Sequence, residues 1–373
     1  MTGWDSDLNP WQPVLKDDKL YGRGGADDGY AAFASLAAIK SLRTQNIPHA
    51  RCVILIEACE ESGSRDLPFY IEALEDRIGN PDLIICLDSG CGNYNQLWVS
   101  TSLRGLIGGE LSIEVLKQGV HSGYGSGIVP SCFLILRQLL NRIENEKTGD
   151  ILLNDLHVSI PDERLQQAAA TAHVLGDEIY ASLPFVSGVT PLTHDTENQI
   201  LNRTWRPTLS VIGCDGLPLS ANAGNVTLPK LTVKLSLRLP PTCQAQAASI
   251  ALKNTLENNP PFNAKIHFAI HECATGWNAP IESPWLRSAA ELASEHYFGA
   301  KAMYMGEGGS IPFMGMLGKK FPQAQFLITG VLGPGSNAHG PNEFLHIPTG
   351  KKLTCCVAEV IAKHFRGHFA TDP

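Results

Sequence analysis

The sequence has no apolar run long enough to cross a bilayer, and it has no excess of positive charge. Its formal net charge is -8 at pH 7. Neither nucleic acid nor an anionic membrane surface is therefore expected as a partner, because both need a basic face. There is no Cys-x-x-Cys pair among the ten cysteines. Cys52, Cys59, Cys86, Cys355 and Cys356 fall in or beside apolar segments, where they read as small hydrophobes in a reducing compartment rather than as zinc ligands. No Walker loop and no Gly-x-Ser-x-Gly elbow occur, and His271-Glu272 does not continue into His-Glu-x-x-His. The opening MTGWDSDLNPWQP is polar and acidic, unlike a secretory signal, so a cytoplasmic location is expected.

What is present is an ordinary globular composition, 43% apolar and 18% charged over 373 residues, enough for two cores. Up to about Gly105 the pattern is α/β. A helix is predicted over 29–43, with strands at RCVILIEA (51–58) and PDLIICLD (81–88) and a helix at 67–77 between them. Both strands are continuous apolar runs and so read as buried parallel strands. Beyond Arg104 the runs alternate. In KLTVKLSLRLP, Leu231, Val233, Leu235, Leu237 and Leu239 face one way and Lys230 to Arg238 the other, the signature of a half-exposed antiparallel strand. With LIGGELSIEVL, AKIHFAIHE and helices at 129–145 and 243–258, this suggests a ferredoxin-like α+β unit, interrupted by an insertion at 146–205. The α/β pattern resumes with a helix at 283–298, a strand at 325–331 and a helix at 348–365, and the closing HFATDP is expected to fray. The expected division is a catalytic domain from 1–104 and 278–373, with a lid at 105–277.

Acidic side chains stand where the α/β strands end, the place where such sheets bind ligands. YGRGGADD (21–28) brings Asp27 out of a glycine turn, EESGS (60–64) sets two adjacent acids after a strand, and Asp88 closes the next apolar run. His339 lies in the loop GPGSNAHGPN, and His121 opens HSGYGSG before a helix. Singly, each has a plainer reading: a turn and N-cap, a solvated acidic loop, an Asx turn, a loop histidine. Together they suit a hydrolytic site built on divalent cations, since neighbouring carboxylates need a cation or water between them.

These motifs occur in an order that resembles the co-catalytic zinc amidohydrolases and peptidases, a family that includes aminoacylase, carboxypeptidase G, succinyl-diaminopimelate desuccinylase and the carnosinase-type dipeptidases. GWDSDLNPWQPVLKDDKLYGRGGADD, EESGS, LDSG, HSG, GEGGSIP and NAHGPNE carry the likeness, and the insertion ending in NRTWRPTLS is most similar to the dipeptidase branch. The resemblance implies an α/β catalytic domain with an inserted dimerisation lid. It implies two divalent cations, most simply Zn²⁺ with Mn²⁺ or Co²⁺ as substitutes, and hydrolysis of a dipeptide or an N-acyl amino acid. Asp27 would bridge the cations, Glu61, Asp88 and His339 would be further ligands, and Glu60 would be the general base. His121 would steady the oxyanion in the partner's site of a homodimer. Arg238, Asn225 and Ser310 would hold the substrate's carboxylate or carbonyl. Two departures stand out: Gly29-Tyr30 replaces the usual Lys-Gly, and the family's upstream His-x-Asp motif is not found. The second raises the expectation of an N-terminally truncated chain with one impaired metal site, or a catalytically impaired remnant that dimerises or binds ligand, unless a residue such as His346 supplies the lost ligand.

Overall fold

The computed structural model describes residues 2–311 and 313–368, so most of the closing HFATDP lies outside the described residues. Fourteen strands are used below: β1 Val14–Lys16, β2 Lys19–Tyr21, β3 Leu83–Cys86, β4 Trp98–Leu103, β5 Gly105–Glu114, β6 Val120–His121, β7 Thr208–Asp215, β8 Val226–Thr227, β9 Lys230–Leu239, β10 Lys265–Ala274, β11 Trp277–Asn278, β12 Met303–Glu307, β13 Gln325–Ile328 and β14 Phe344–His346.

The α/β part is built from both ends of the chain. β12 pairs in parallel with β4, and β13 in parallel with β3. Helices Tyr30–Thr44, Pro284–Phe298 and Ile347–His368 share one core with these strands, through Ala38, Leu42, Ala290, Ala293, Leu327, Val357 and Val360. Their small residues let the helices approach closely. On the opposite side Leu67, Ile71, Trp277, Met314, Phe321 and Phe326 form a second core. The helix predicted over 67–77 is two pieces, Leu67–Ala73 and Glu75–Ile78, joined at Leu74.

One predicted strand is absent. RCVILIEA has no strand pairing, and Val53, Ile54, Leu55 and Ile56 are 38 to 73% exposed. The physical reason is the lack of a neighbour. A cavity of about 760 Å³ separates this segment from β3 and is lined by Ile54, Leu55, Ile84, Ile85, Val357 and Ile361, with Asp28, Glu60 and Asp88 also on its wall. An apolar run specifies burial only where a second surface meets it, and among the described residues β3 in turn is paired only on the β13 side.

The alternating segments form one antiparallel sheet in the order β10-β5-β9-β7. Renumbered along the chain this is 4-1-3-2, the ferredoxin-like order. Leu231, Val233, Leu235, Leu237 and Leu239 are all buried, at 2% exposure or less, against helices Cys132–Leu140 and Ala245–Glu257. β9 therefore lies in a different sheet from β3. The insertion does not extend this sheet. Its helices Asp162–Leu175 and Thr196–Thr204 pack on β4 and β12, where Ala168, Ala172, Leu201 and Trp205 meet Trp98 and Met305.

The two apolar environments make a direct stability comparison. Ile135 is fully buried, so Ile135→Ala is expected to cost about 2–5 kcal/mol. Ile56 is 73% exposed, so Ile56→Ser is expected to stay within about 0.5 kcal/mol. Urea unfolding of both variants checks this, and an Ile56 variant as damaging as the Ile135 one would show that the 51–58 segment is buried in solution.

Candidate metal and substrate site

Asp27 leaves the glycine turn at Gly24, whose φ of 71° suits glycine. The family's Lys-Gly position is taken by Gly29 and Tyr30, and Tyr30 is buried with its hydroxyl donating to the Leu87 carbonyl. Glu60 and Glu61 sit on a single 3₁₀ turn, Glu60–Ser62, closed by Gly63 at φ 90°. Asp88 follows β3. His339 stands in a loop in which Asn337, His339 and Asn342 all have left-handed backbone, at φ 56°, 61° and 58°.

These chain segments meet. His339 Nε2 lies 2.8 Å from Asp27 Oδ2 and 3.1 Å from Glu61 Oε1, and ligand atoms of the three residues all lie within 4.8 Å of one another. A ring nitrogen carries at most one hydrogen, so it satisfies one carboxylate and leaves the other short of a donor. A cation among the three serves all of them, and two carboxylates with an imidazole are the donor set of a divalent transition metal. The residues present thus fit such a cation.

The other two acids border this group. Asp88 is hydrogen-bonded to Asp27, and its carboxyl is pushed up to about 8, by burial first and then by the charges of Asp28, Asp27 and Glu60. Glu60 is held above the usual carboxylate range by burial, then by Glu61 and Asp27. No further imidazole joins Asp27 and Asp88 among the described residues. His346 does not fill that role: its Nδ1 is 2.7 Å from Thr349 Oγ1, and its ring stacks on Tyr94 at 4.5 Å.

The expected substrate residues divide. Arg238 Nη1 donates to Ser310 Oγ at 3.3 Å, bridging β9 to the loop after β12. The end of β12 connects back to the acids, because Ser89, next to Asp88, donates to Glu307 Oε1 at 3.3 Å. His121 and Asn225 lie elsewhere, on the exposed β6–β8 ribbon, where Ser122 N–H donates to the Asn225 carbonyl at 2.8 Å. His121 Nδ1 accepts from Gly123 N–H at 3.1 Å and caps a short helical turn. Among the described residues no hydrogen bond or ion pair joins His121 or Asn225 to the Asp27 group.

Sequence reasoning missed Arg104. It is 8% exposed, its Nε donates to the Gly308 carbonyl at 3.0 Å, and its own carbonyl accepts from the Ser310 hydroxyl. Burial, then Arg238 and Arg203, lower its guanidinium to about 10. The available signal was a charged residue at the junction between continuous and alternating runs.

The chain is similar to known proteins over most of its length. The chain is 25% identical over 350 residues to the cysteinylglycine-S-conjugate dipeptidase of Corynebacterium striatum, covering 91% of this chain and 72% of that one. It is 26% identical over 352 residues to the Beta-Ala-His dipeptidase of Homo sapiens, covering 91% and 67%. Human carnosine dipeptidase 1 shares the fold with a TM-score of 0.76 at 22% identity, over 97% of this chain and 76% of that one. An M20 family metallo-carboxypeptidase from Sulfolobus solfataricus does so with a TM-score of 0.75 at 21% identity, over 96% and 80%. The pattern of Peptidase family M20/M25/M40 matches residues 1–363, and the chain belongs to that family.

Proposed function

We propose that the chain hydrolyses dipeptides with the help of divalent cations bound at Asp27, Glu61 and His339, with Zn²⁺ as the natural occupant. The observation that carries the reading is the convergence of those three ligands with Glu60 and Asp88 beside them. Relatives that match over most of the chain are dipeptidases by name.

When bound, the cations supply Lewis acidity for the scissile carbonyl and lower the pKa of water. Asp27, Glu61 and His339 would hold one of them, and Asp27 and Asp88 would offer carboxylates to a second. Glu60, its carboxyl raised, takes the proton of the attacking water and returns it to the leaving amine. Arg238, with Ser310 against it, presents N–H donors to the substrate's free carboxylate. His121 and Asn225 are exposed, and we assign them to the site of a second copy. The pairing edge is β7, the outer strand of its sheet, where Val211 and Ile212 are 49% and 59% exposed. All ten cysteines are free thiols, which supports a reducing, cytoplasmic setting.

Hydrolysis of Cys-Gly and of β-Ala-His by the metal-stripped chain, with Zn²⁺, Mn²⁺ or Co²⁺ added back, tests the reading. Turnover that appears with metal is expected, and none with any cation refutes it. Metal analysis should show one tight equivalent, because among the described residues only one set has three donors, and a catalytic zinc normally takes three. Two tight equivalents would overturn the unequal division.

The Asp88 carboxyl sets a pH dependence. Its folded-state value, about 8, lies above its ordinary 3.8, so the metal-free folded chain holds a proton that the unfolded chain has released. Stability from this group is complete below the ordinary value and is lost as pH rises toward 8. A bound cation compensates the carboxylate charge, so the gap between the melting temperatures of metal-loaded and metal-free chain is expected to widen from pH 5.5 to pH 8. A gap that narrows would contradict it.

A further inference from the structure

We infer that the ion pair between Arg23 and Glu343 is the positioning element of the metal site, fixing the loop that carries His339 onto the turn that carries Asp27. The inference rests on the metal reading above. Arg23 lies four residues before Asp27, and Glu343 four after His339. Arg23 Nη1 meets Glu343 Oε2 at 2.7 Å, with side chains 19% and 0% exposed. The other arm of the same guanidinium, Nη2, donates to the carbonyl of Gly340, the residue after His339, at 2.6 Å. The backbone adds a third link, from Gly22 N–H to the Glu343 carbonyl at 3.0 Å.

Three observations make this a positioning device and not only a fold contact. First, His339 cannot be held by its own burial, since its side chain is 67% exposed. Second, its loop has left-handed backbone at three non-glycine residues, Asn337, His339 and Asn342, a region that Asn and His enter more readily than most side chains but that is still less favourable than the right-handed one, so an external tie helps to hold the loop in this shape. Third, a buried ion pair is not in general more stabilising than apolar packing of the same volume. What the planar fork of arginine supplies here is direction. It grips a carboxylate and a carbonyl together, which a lysine ammonium, as a single point charge, does not reproduce. Neither residue touches the three ligand side chains in any described hydrogen bond or ion pair, so both act through the backbone around His339.

The test measures Zn²⁺ affinity by chelator competition, alongside the melting temperature of the metal-free chain. Arg23→Lys and Glu343→Gln are expected to weaken Zn²⁺ binding about 10–100-fold, the usual effect of losing a group that orients a ligand. The double variant Arg23→Gln/Glu343→Gln should be no weaker than either single one, because both cut the same link. If a single variant strands a buried charge and unfolds, the neutral double variant carries the test. Purely structural importance would lower the metal-free melting temperature and leave Zn²⁺ affinity of the folded protein alone. A folded variant that binds Zn²⁺ within twofold of the unaltered chain overturns the proposal. Failure of the unaltered chain to bind Zn²⁺ is a different result, and it overturns the metal reading itself.

Discussion

Glu60→Gln is expected to lower kcat by about 10²–10⁴-fold, the usual contribution of a general base, while the tightly bound metal stays in place. The substitution keeps the shape of the side chain and removes its ability to take a proton. Glu60 is not one of the three residues whose ligand atoms converge, so the metal should not depend on it. Its carboxyl is raised by burial and by the charges of Glu61 and Asp27, and a carboxylate raised in this way accepts a proton more readily near neutral pH. Steady-state turnover of a dipeptide, read together with metal content, separates the two effects. A variant that keeps more than a tenth of the activity would remove Glu60 from the reaction. One that loses its metal would make it a ligand.

Asp27→Asn should have the opposite signature, with metal lost first and turnover lost in consequence. Asp27 is in contact with both His339 and Asp88, 2.8 Å from His339 Nε2 and hydrogen-bonded to Asp88. An amide keeps the size and gives up the charge, so a drop in metal affinity of at least about 100-fold is expected, at or beyond the upper end of what outer partners of a ligand contribute. The rise in melting temperature on adding metal should vanish with it, because that rise is the free energy of binding to the folded state. Calorimetric titration and thermal melts check both. Undiminished affinity in a folded variant would mean that the cation sits elsewhere.

Much of this fold could be read from periodicity, and the reason is local. In β9 the alternation of leucine and valine with lysine, serine and arginine reports which face is buried, and every apolar member of that face is. Asp27, Glu61 and His339 each stood out in a turn containing glycine, but their grouping with Glu60 and Asp88 came from the order of motifs shared with a known family and not from any local pattern. What could not be read was partnership. RCVILIEA has the composition of a strand, but its sequence does not say whether a neighbour lies beside it. The insertion was legible only as an interruption, and no local pattern told that it holds helices or that Trp205 would pack on Trp98 of the other sheet and not on the lid. The Arg23–Glu343 pair joins residues 320 apart in sequence, and two isolated charges carry no period. Arg104 escaped for the same reason.

The passage between the two sheets is a double one. β4 runs into β5 through Arg104, and β10 runs into β11 through Thr275 and Gly276, with Trp277 opposite Leu103 and Ala274 opposite Leu106. At the crossing the backbones touch. A Cβ on Gly276 would stand 2.4 Å from the Leu103 carbonyl oxygen, and one on Gly105 would stand 2.6 Å from that of Ala274. Mechanically, this is a flat strap of two cords with no side chain between them. Arg104 is riveted into it, and through Gly308 and Ser310 it also holds the far end of the Arg238 contact. Arg238 on β9 and Ser310 after β12 thus meet across the crossing, so the one contact spans the two sheets at the point where they are stitched together.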